Sequence, residues 1–374
     1  MRRLSRGGAS IGGRRWALLL AASVALAGAA CSGPGAARYE RKAAQASLAK
    51  LEKPGLSMGE FRITGVTDGD TIRVDGLDSS MRLLGLDAEE TFKHEDDRRG
   101  AEAGWASYLK AARGSSPRPV KIASPLGEQA KLFAKRFFDG VTMVRLERDD
   151  ATEIRDRYNR YLAYVFATKD GVDVNYNIEA VRAGMSPYFT KYGNSRRFHA
   201  EFLAAEQEAR AARRGIWDPT GLHADDYDER KAWWDARGDF VAAFAARADQ
   251  DPSFLAVTRW DLITELEGRL GKPVTLLGTV GEVRLGDRGP SKVMLSRRIN
   301  DDFPVVFFDK DVLAATGLGA WRGEFIVVTG VVAEYTNKYT QRRQLQIVVE
   351  SPRQIVLSPV PGLAVPPAMA TAVP

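Results

Sequence analysis

The chain has 374 residues, room for two or three domains with cores of their own, and its 44% hydrophobic and 27% charged content is that of an ordinary soluble globular protein. A single cysteine, Cys31, excludes any intrachain disulfide. The formal charge of +6 is no pointer to nucleic acid, because five arginines and no acid lie in residues 1–30 and a chain beginning at Cys31 carries +1.

Residues 1–30 read as an export signal: a basic stretch, an apolar run from Trp16 to Ala27, then small residues. The run is shorter than the ~20 apolar residues that span a bilayer. Cys31, directly after Gly28-Ala29-Ala30, resembles the lipidated cysteine of a bacterial lipoprotein, although Gly28 stands where leucine is usual; simple cleavage nearby is the alternative. Arg14-Arg15-Trp16 hints at a twin-arginine route. The expected location is therefore the cell envelope, as a lipoprotein, or the periplasm or medium. Residues 31–58, rich in Gly, Ala, Ser and Lys, read as a tether.

From residue 59 the pattern changes. Phe61 to Val66, Thr71 to Val74 and Met81 to Leu86 read as strands joined by tight turns at Asp68-Gly69 and Asp75-Gly76. A polar stretch follows Thr91, with a candidate helix from Trp105 to Ala112. Helical spacing marks Gly127 to Phe138, the set Val174, Ile178, Val181 and Met185, and Arg196 to Arg214, which stops at Gly215. Strands Thr142 to Glu147 and Tyr161 to Ala167 lie between them. The expected fold class is α+β: a five-stranded barrel of the oligonucleotide-binding (OB) type with packed helices over residues 59–218. Residues 219–262 read as a charged helical connector in which Trp233, Phe240 and Phe244 share a face. Five more strand candidates, with a helix at Asp311 to Thr316 between the third and fourth, predict a second OB-like barrel over 263–358. Residues 359–374, rich in Pro and Ala, read as a disordered tail.

Three segments carry chemistry. Asp68-Gly69-Asp70-Thr71 leaves carboxylates at a strand end, and alone is an ordinary hairpin turn. In Arg82-Leu83-Leu84-Gly85-Leu86-Asp87-Ala88-Glu89-Glu90-Thr91, alternation places Arg82 with Leu84 and Leu86 on an apolar side. A half-buried guanidinium there needs an anion, either a carboxylate or a bound phosphate. Arg155 to Tyr164 is a basic turn feeding a strand. Taken together and in this order, the three segments resemble the staphylococcal nuclease (thermonuclease) family, as does the ending Arg214-Gly215-Ile216-Trp217. The resemblance covers Phe61 to Asp218.

What the resemblance implies is a calcium-dependent phosphodiesterase acting on DNA, RNA or both, leaving a 3′-phosphate end. Asp70, Asp87 and the backbone carbonyl of Ala88 would hold Ca²⁺, a hard cation that takes oxygen ligands. Glu90 would act as general base, and Arg82 and Arg160 would grip phosphate. Arg157, Tyr158 and Tyr188 match positions that line the nucleotide site. Two departures stand out. Glu89 replaces a usual proline, and could add a metal ligand, raise the pKa of Glu90 or face solvent. The polar stretch after Thr91 is longer by about two dozen residues than in compact relatives and could cover the site.

The three histidines, His94, His199 and His223, form no zinc motif, and there is no phosphate-binding Gly-rich loop ending in Gly-Lys-Ser/Thr. In the second barrel Arg297, Arg298, Phe307, Phe308, Lys310, Tyr335, Lys338, Tyr339, Arg342 and Arg343 offer basic and aromatic material for a nucleic-acid strand; a strand alternating in and out with solubilising turns is the other reading. The sequence implies a monomer without a small-molecule cofactor. The competing function is a barrel that has lost catalysis and binds nucleic acid or a protein. Retention of Asp70, Arg82, Asp87, Glu90 and Arg160 favours the enzyme.

Overall fold

A computed structural model describes residues 55–298 and 301–369. The export signal, Cys31 and most of the tether lie outside the described residues. Among the described residues no helix is long and apolar enough to cross a membrane.

The first barrel is built from β1 (Ser57–Asp68), β2 (Thr71–Val74), β3 (Met81–Leu83), β4 (Met143–Glu147) and β5 (Tyr161–Lys169), with β6 (Val172–Asn175) added at the edge of β5. Strand β1 pairs with β4 along its first half and with β2 along its second, and bulges bend it between the two. Parallel pairing of β3 with β5, Met81 to Tyr161 and Leu83 to Ala163, closes the sheet. Alternation puts Ile72, Met81, Leu83, Val144, Leu146 and Val165 in the core. Strand β3 ends three residues before the sequence suggests, because Gly85 takes φ +73° and turns the chain.

The polar stretch holds two short helices, α1 (Glu95–Ala103) and α2 (Trp105–Arg113). The first has almost no apolar face. Its acidic first turn, Glu95, Asp96 and Asp97, complements the helix dipole. Helix α3 (Pro125–Phe137) starts where Ser124 caps it, its side chain accepting from the Gly127 amide, with Pro125 at the first position. Helices α4 (Tyr176–Arg182) and α5 (His199–Ala211) pack Val181, Phe202 and Ala205 onto the barrel, and Gly215–Trp217 forms one closing 3₁₀ turn.

Helix α6 (Tyr227–Ala248) follows, then β7 (Phe254–Ala256) and α7 (Leu262–Glu267). The second barrel comprises β8 (Pro273–Arg284), β9 (Ser291–Ser296), β10 (Phe303–Phe307), β11 (Phe325–Thr336) and β12 (Arg343–Val348), closed by β8 against β11. Helix α8 (Lys310–Thr316) joins β10 to β11, and β13 (Ile355–Leu357) extends the far edge. Both halves are thus closed five-stranded barrels of OB type in an α+β chain. Part of the expected tail is in contact with the second barrel: Val360 is in its core, with Leu363, Val365 and Met369 against it.

The barrels are joined by more than the chain. In α6, Phe240 and Phe244 pack on Phe325 and Val327 of β11. Arg237 forms a fully buried ion pair with Glu324, which also accepts from Trp233 Nε1 at 3.2 Å. Trp260 packs against the first core, and its amide donates to Thr152 O at 3.1 Å.

Candidate active site

Three turns converge on one side of the first barrel. The β1–β2 turn is tight because Gly69 passes close to helix α3; a Cβ there would sit 2.7 Å from that of Ala130 and 3.0 Å from that of Ala88. Tyr176 steadies the turn by donating to Gly69 O at 2.8 Å. Arg82 lies across from Thr71 on β3 with its neighbours Met81 and Leu83 buried, so its side chain leaves the core on the opposite face. There it meets the carboxylates that its burial requires. Its guanidinium pairs with Asp70 and, at 2.8 Å, with Asp87, and donates to Leu86 O at 2.7 Å. The Phe189 ring lies 5.4 Å below it.

Glu90 is held by its backbone. Its amide donates to Ile122 O at 2.9 Å, and its carbonyl accepts from the Ser124 amide at 3.1 Å. The start of α3 passes so near that a Cβ on Gly127 would lie 2.1 Å from Glu90 O. The Glu90 side chain is 30% exposed, with Lys93 at 2.8 Å from one oxygen and Lys121 at 3.3 Å from the other. Lys121 also reaches Asp87 at 3.0 Å and Asp70 at 3.7 Å. One ammonium thus stands among three carboxylates.

The electrostatics follow from these pairs. Burial pushes Asp70 up, but the charges of Arg82 and Lys121 outweigh it and hold the carboxyl at about 2. Burial, with the charge of Asp70 beside it, lifts Asp68 to about 6. For Arg82, burial is overcome by Asp70 and Asp87, which lock the positive charge in place. Burial would raise Glu90, yet the Lys93 hydrogen bond and the Lys121 charge bring it below its ordinary value. At neutral pH, Asp70 and Glu90 are therefore ionised.

Not every residue that the sequence nominates joins this cluster. Arg160 is engaged on its own turn, where Asp156 accepts from its Nε at 2.8 Å and pairs with its Nη2 at 2.7 Å. Arg157 reaches across to the second barrel and donates to Ser296 Oγ at 2.7 Å. Tyr158 is 65% exposed. Tyr188 is a core residue, stacked on Phe202, with its hydroxyl taken by the Ser195 amide at 2.7 Å and His199 Nδ1 at 3.0 Å. Glu89 does none of the three things that its position suggests. It turns inward, where Ser124 Oγ, the Ala224 amide at 2.7 Å and the Tyr227 hydroxyl at 2.7 Å donate to it. In the second barrel Phe307 is fully buried and Arg297 is buried against Asp301, whereas Phe308, Tyr335 and Tyr339 are exposed.

Among the described residues no group of three His, Cys, Asp or Glu side chains is set to hold a metal ion as it stands. In donor type, however, buried Asp70 and Asp87 suit a hard divalent cation, and the cluster already gathers a cation of its own in the Lys121 ammonium. The residues fit Ca²⁺ in chemistry.

Residues 80–219 match the staphylococcal nuclease homologue family, a span from just before Arg82 to just past Trp217; Asp68 and Asp70 precede it. The chain is 30% identical over 159 residues to an uncharacterised protein of Methanocaldococcus jannaschii, covering 42% of this chain and 70% of that one. It is 27% identical over 159 residues to the thermonuclease of Staphylococcus hyicus, covering 42% and 75%. To the endonuclease YncB of Bacillus subtilis it is 28% identical over 157 residues, covering 41% and 59%. In each case the shared stretch is less than half of this chain. With its closed first barrel and the carboxylate–arginine cluster at the β1–β2 and β3 turns, the chain belongs to the staphylococcal nuclease family.

Proposed function

We propose that this protein is an exported, calcium-dependent nuclease that hydrolyses phosphodiester bonds of DNA, RNA or both. The observation that carries the reading is the joining of Asp70, Arg82, Asp87 and Glu90 at one place, from turns that are up to twenty residues apart in the chain. Export rests on the leader sequence and Cys31, and the nuclease chemistry on the cluster and the named relatives.

In this reading Asp70 and Asp87, with the Ala88 carbonyl, hold the metal. When bound, Ca²⁺ supplies positive charge to the phosphate oxygens. The chain's own groups do the rest. Glu90, ionised at neutral pH, takes the proton of the attacking water. Arg82, whose charge is fixed, would turn its fork from Asp70 and Asp87 to two phosphate oxygens and stabilise the extra negative charge of the pentacoordinate state. Arg160 would join it by exchanging Asp156 for the substrate phosphate. Exposed Tyr158 beside it offers a stacking face for a base. A phosphate grip reads no sequence.

The test is cleavage of plasmid DNA and of single-stranded RNA by the purified chain. Cleavage should stop with a calcium chelator, return on adding Ca²⁺ and leave 3′-phosphate ends. Cleavage that persists unchanged in chelator would overturn the calcium dependence. The Arg160–Asp156 pairing favours one alternative, a barrel that binds without cutting; folded protein that binds both substrates and cuts neither with any divalent cation would establish it.

A further inference from the structure

The polar stretch after Thr91 brings a lysine into the carboxylate cluster. Lys121 Nζ stands 3.0 Å from Asp87, 3.3 Å from Glu90 and 3.7 Å from Asp70. A chance surface contact would leave the backbone free, and this backbone is tied on both sides. Its neighbour Ile122 is buried and pairs with the Glu90 amide. On the other side, Val120 O accepts from Arg230 Nη2 at 2.6 Å. Two residues further back, Arg118 pairs with Glu324 of the second barrel at 3.2 Å and lies 4.6 Å from the Trp233 ring centroid. Arg113 is clamped by Asp226 at 3.1 Å and Glu229 at 2.9 Å. The connector and the second barrel therefore hold the segment that delivers the ammonium.

The geometry points to Lys121 as a built-in cation that occupies the calcium position of the resting enzyme and must be displaced for the metal to bind. The inference rests on the calcium reading given above. Arg82 and Lys121 already share the oxygens of Asp70 and Asp87, and a divalent cation there would be repelled by both, since like charges a few ångströms apart repel strongly outside bulk water. The lysine therefore lowers calcium affinity, and its departure also frees the Glu90 oxygen that it holds. Arg82 cannot play this part alone, because its pairs are with Asp70 and Asp87, whereas Lys121 also reaches Glu90. Lys93 cannot either, because its contact is with the other Glu90 oxygen.

The test is calorimetric titration of Ca²⁺ into the full chain, into Lys121→Gln and into Lys121→Arg, with folding followed by circular dichroism. Lys121→Gln should bind Ca²⁺ at least about tenfold more tightly than the unmodified chain, with Lys121→Arg, which keeps the charge, close to the unmodified chain. Without calcium, Lys121→Gln should melt earlier than the unmodified chain, and calcium should raise its melting temperature more. If Lys121→Gln cannot hold its fold without metal, Ca²⁺ must restore it at concentrations below the dissociation constant of the unmodified chain. Equal or weaker calcium binding by Lys121→Gln, or no rescue, would overturn the inference while leaving calcium binding by the unmodified chain in place. Absence of calcium binding by all three folded proteins would instead overturn the calcium reading, and the inference with it.

Discussion

Glu89, inside the signature segment, serves the fold. It is buried, and its two oxygens collect three donors from two separate parts of the chain: Ser124 at the cap of α3, and Ala224 and Tyr227 at the start of α6. Replacing it by alanine strands the Tyr227 hydroxyl and the Ala224 amide in a dry environment. We expect Glu89→Ala to cost about 2–4 kcal/mol of stability in denaturant unfolding, with Glu89→Gln costing less because one acceptor remains. An unchanged unfolding midpoint would show that these bonds are not made in solution. None of this is legible in the sequence, where the partners stand 35, 135 and 138 residues away. Arg82 is the contrast. Alternation groups Arg82 with Leu84 and Leu86, which the turn at Gly85 takes off its face, but the cost of burying a guanidinium still demands an anion, and Asp70 and Asp87 supply it. Lys121 gave no such signal, since a lone lysine in a polar stretch looks like any solvated one.

Among the elements, the strands and the three helices on the first barrel were readable because each has one wet and one dry face. Helix α1 was not, since its nine residues carry only alanines as apolar side chains and its place is set by the acidic first turn and by packing. The edge strands β6, β7 and β13 are three or four residues long and exist only as partners of longer neighbours. Helix α6 was readable as a helix, but not as the element that joins the barrels. That role depends on Arg237, whose guanidinium is fully buried against Glu324 and Gly323 O. Removing Arg237 leaves the buried Glu324 with Arg118 and Trp233 Nε1 in place of its closest ion pair. Arg237→Met should therefore destabilise the chain by about 3–5 kcal/mol, while Arg237→Met combined with Glu324→Met should recover a large part of the loss. The check is the unfolding midpoint of the two variants; equal losses would mean that the pair is not what holds α6 to β11.

At the scale of the whole molecule, the second barrel is tied into the site as well as appended to it. Ser296 holds Arg157 on the turn that carries Tyr158 and Arg160, and Glu324 holds the Arg118 segment that leads to Lys121. Composition and periodicity announce a second barrel, but contacts between barrels have no period and leave no pattern to read. Phe308, Tyr335 and Tyr339 are exposed on the second barrel, whereas Phe307 and Arg297 serve the interior. The account as a whole stands on the claim that the cluster at Asp70, Arg82, Asp87 and Glu90 is a phosphodiesterase centre. The most direct test is the rate of DNA and RNA cleavage by the full chain and by Glu90→Gln, a change that keeps size and polarity and removes only the base. The account predicts a loss of about 10²–10⁴-fold in rate with calcium binding and folding retained. Cleavage by Glu90→Gln at the rate of the unmodified chain would contradict it.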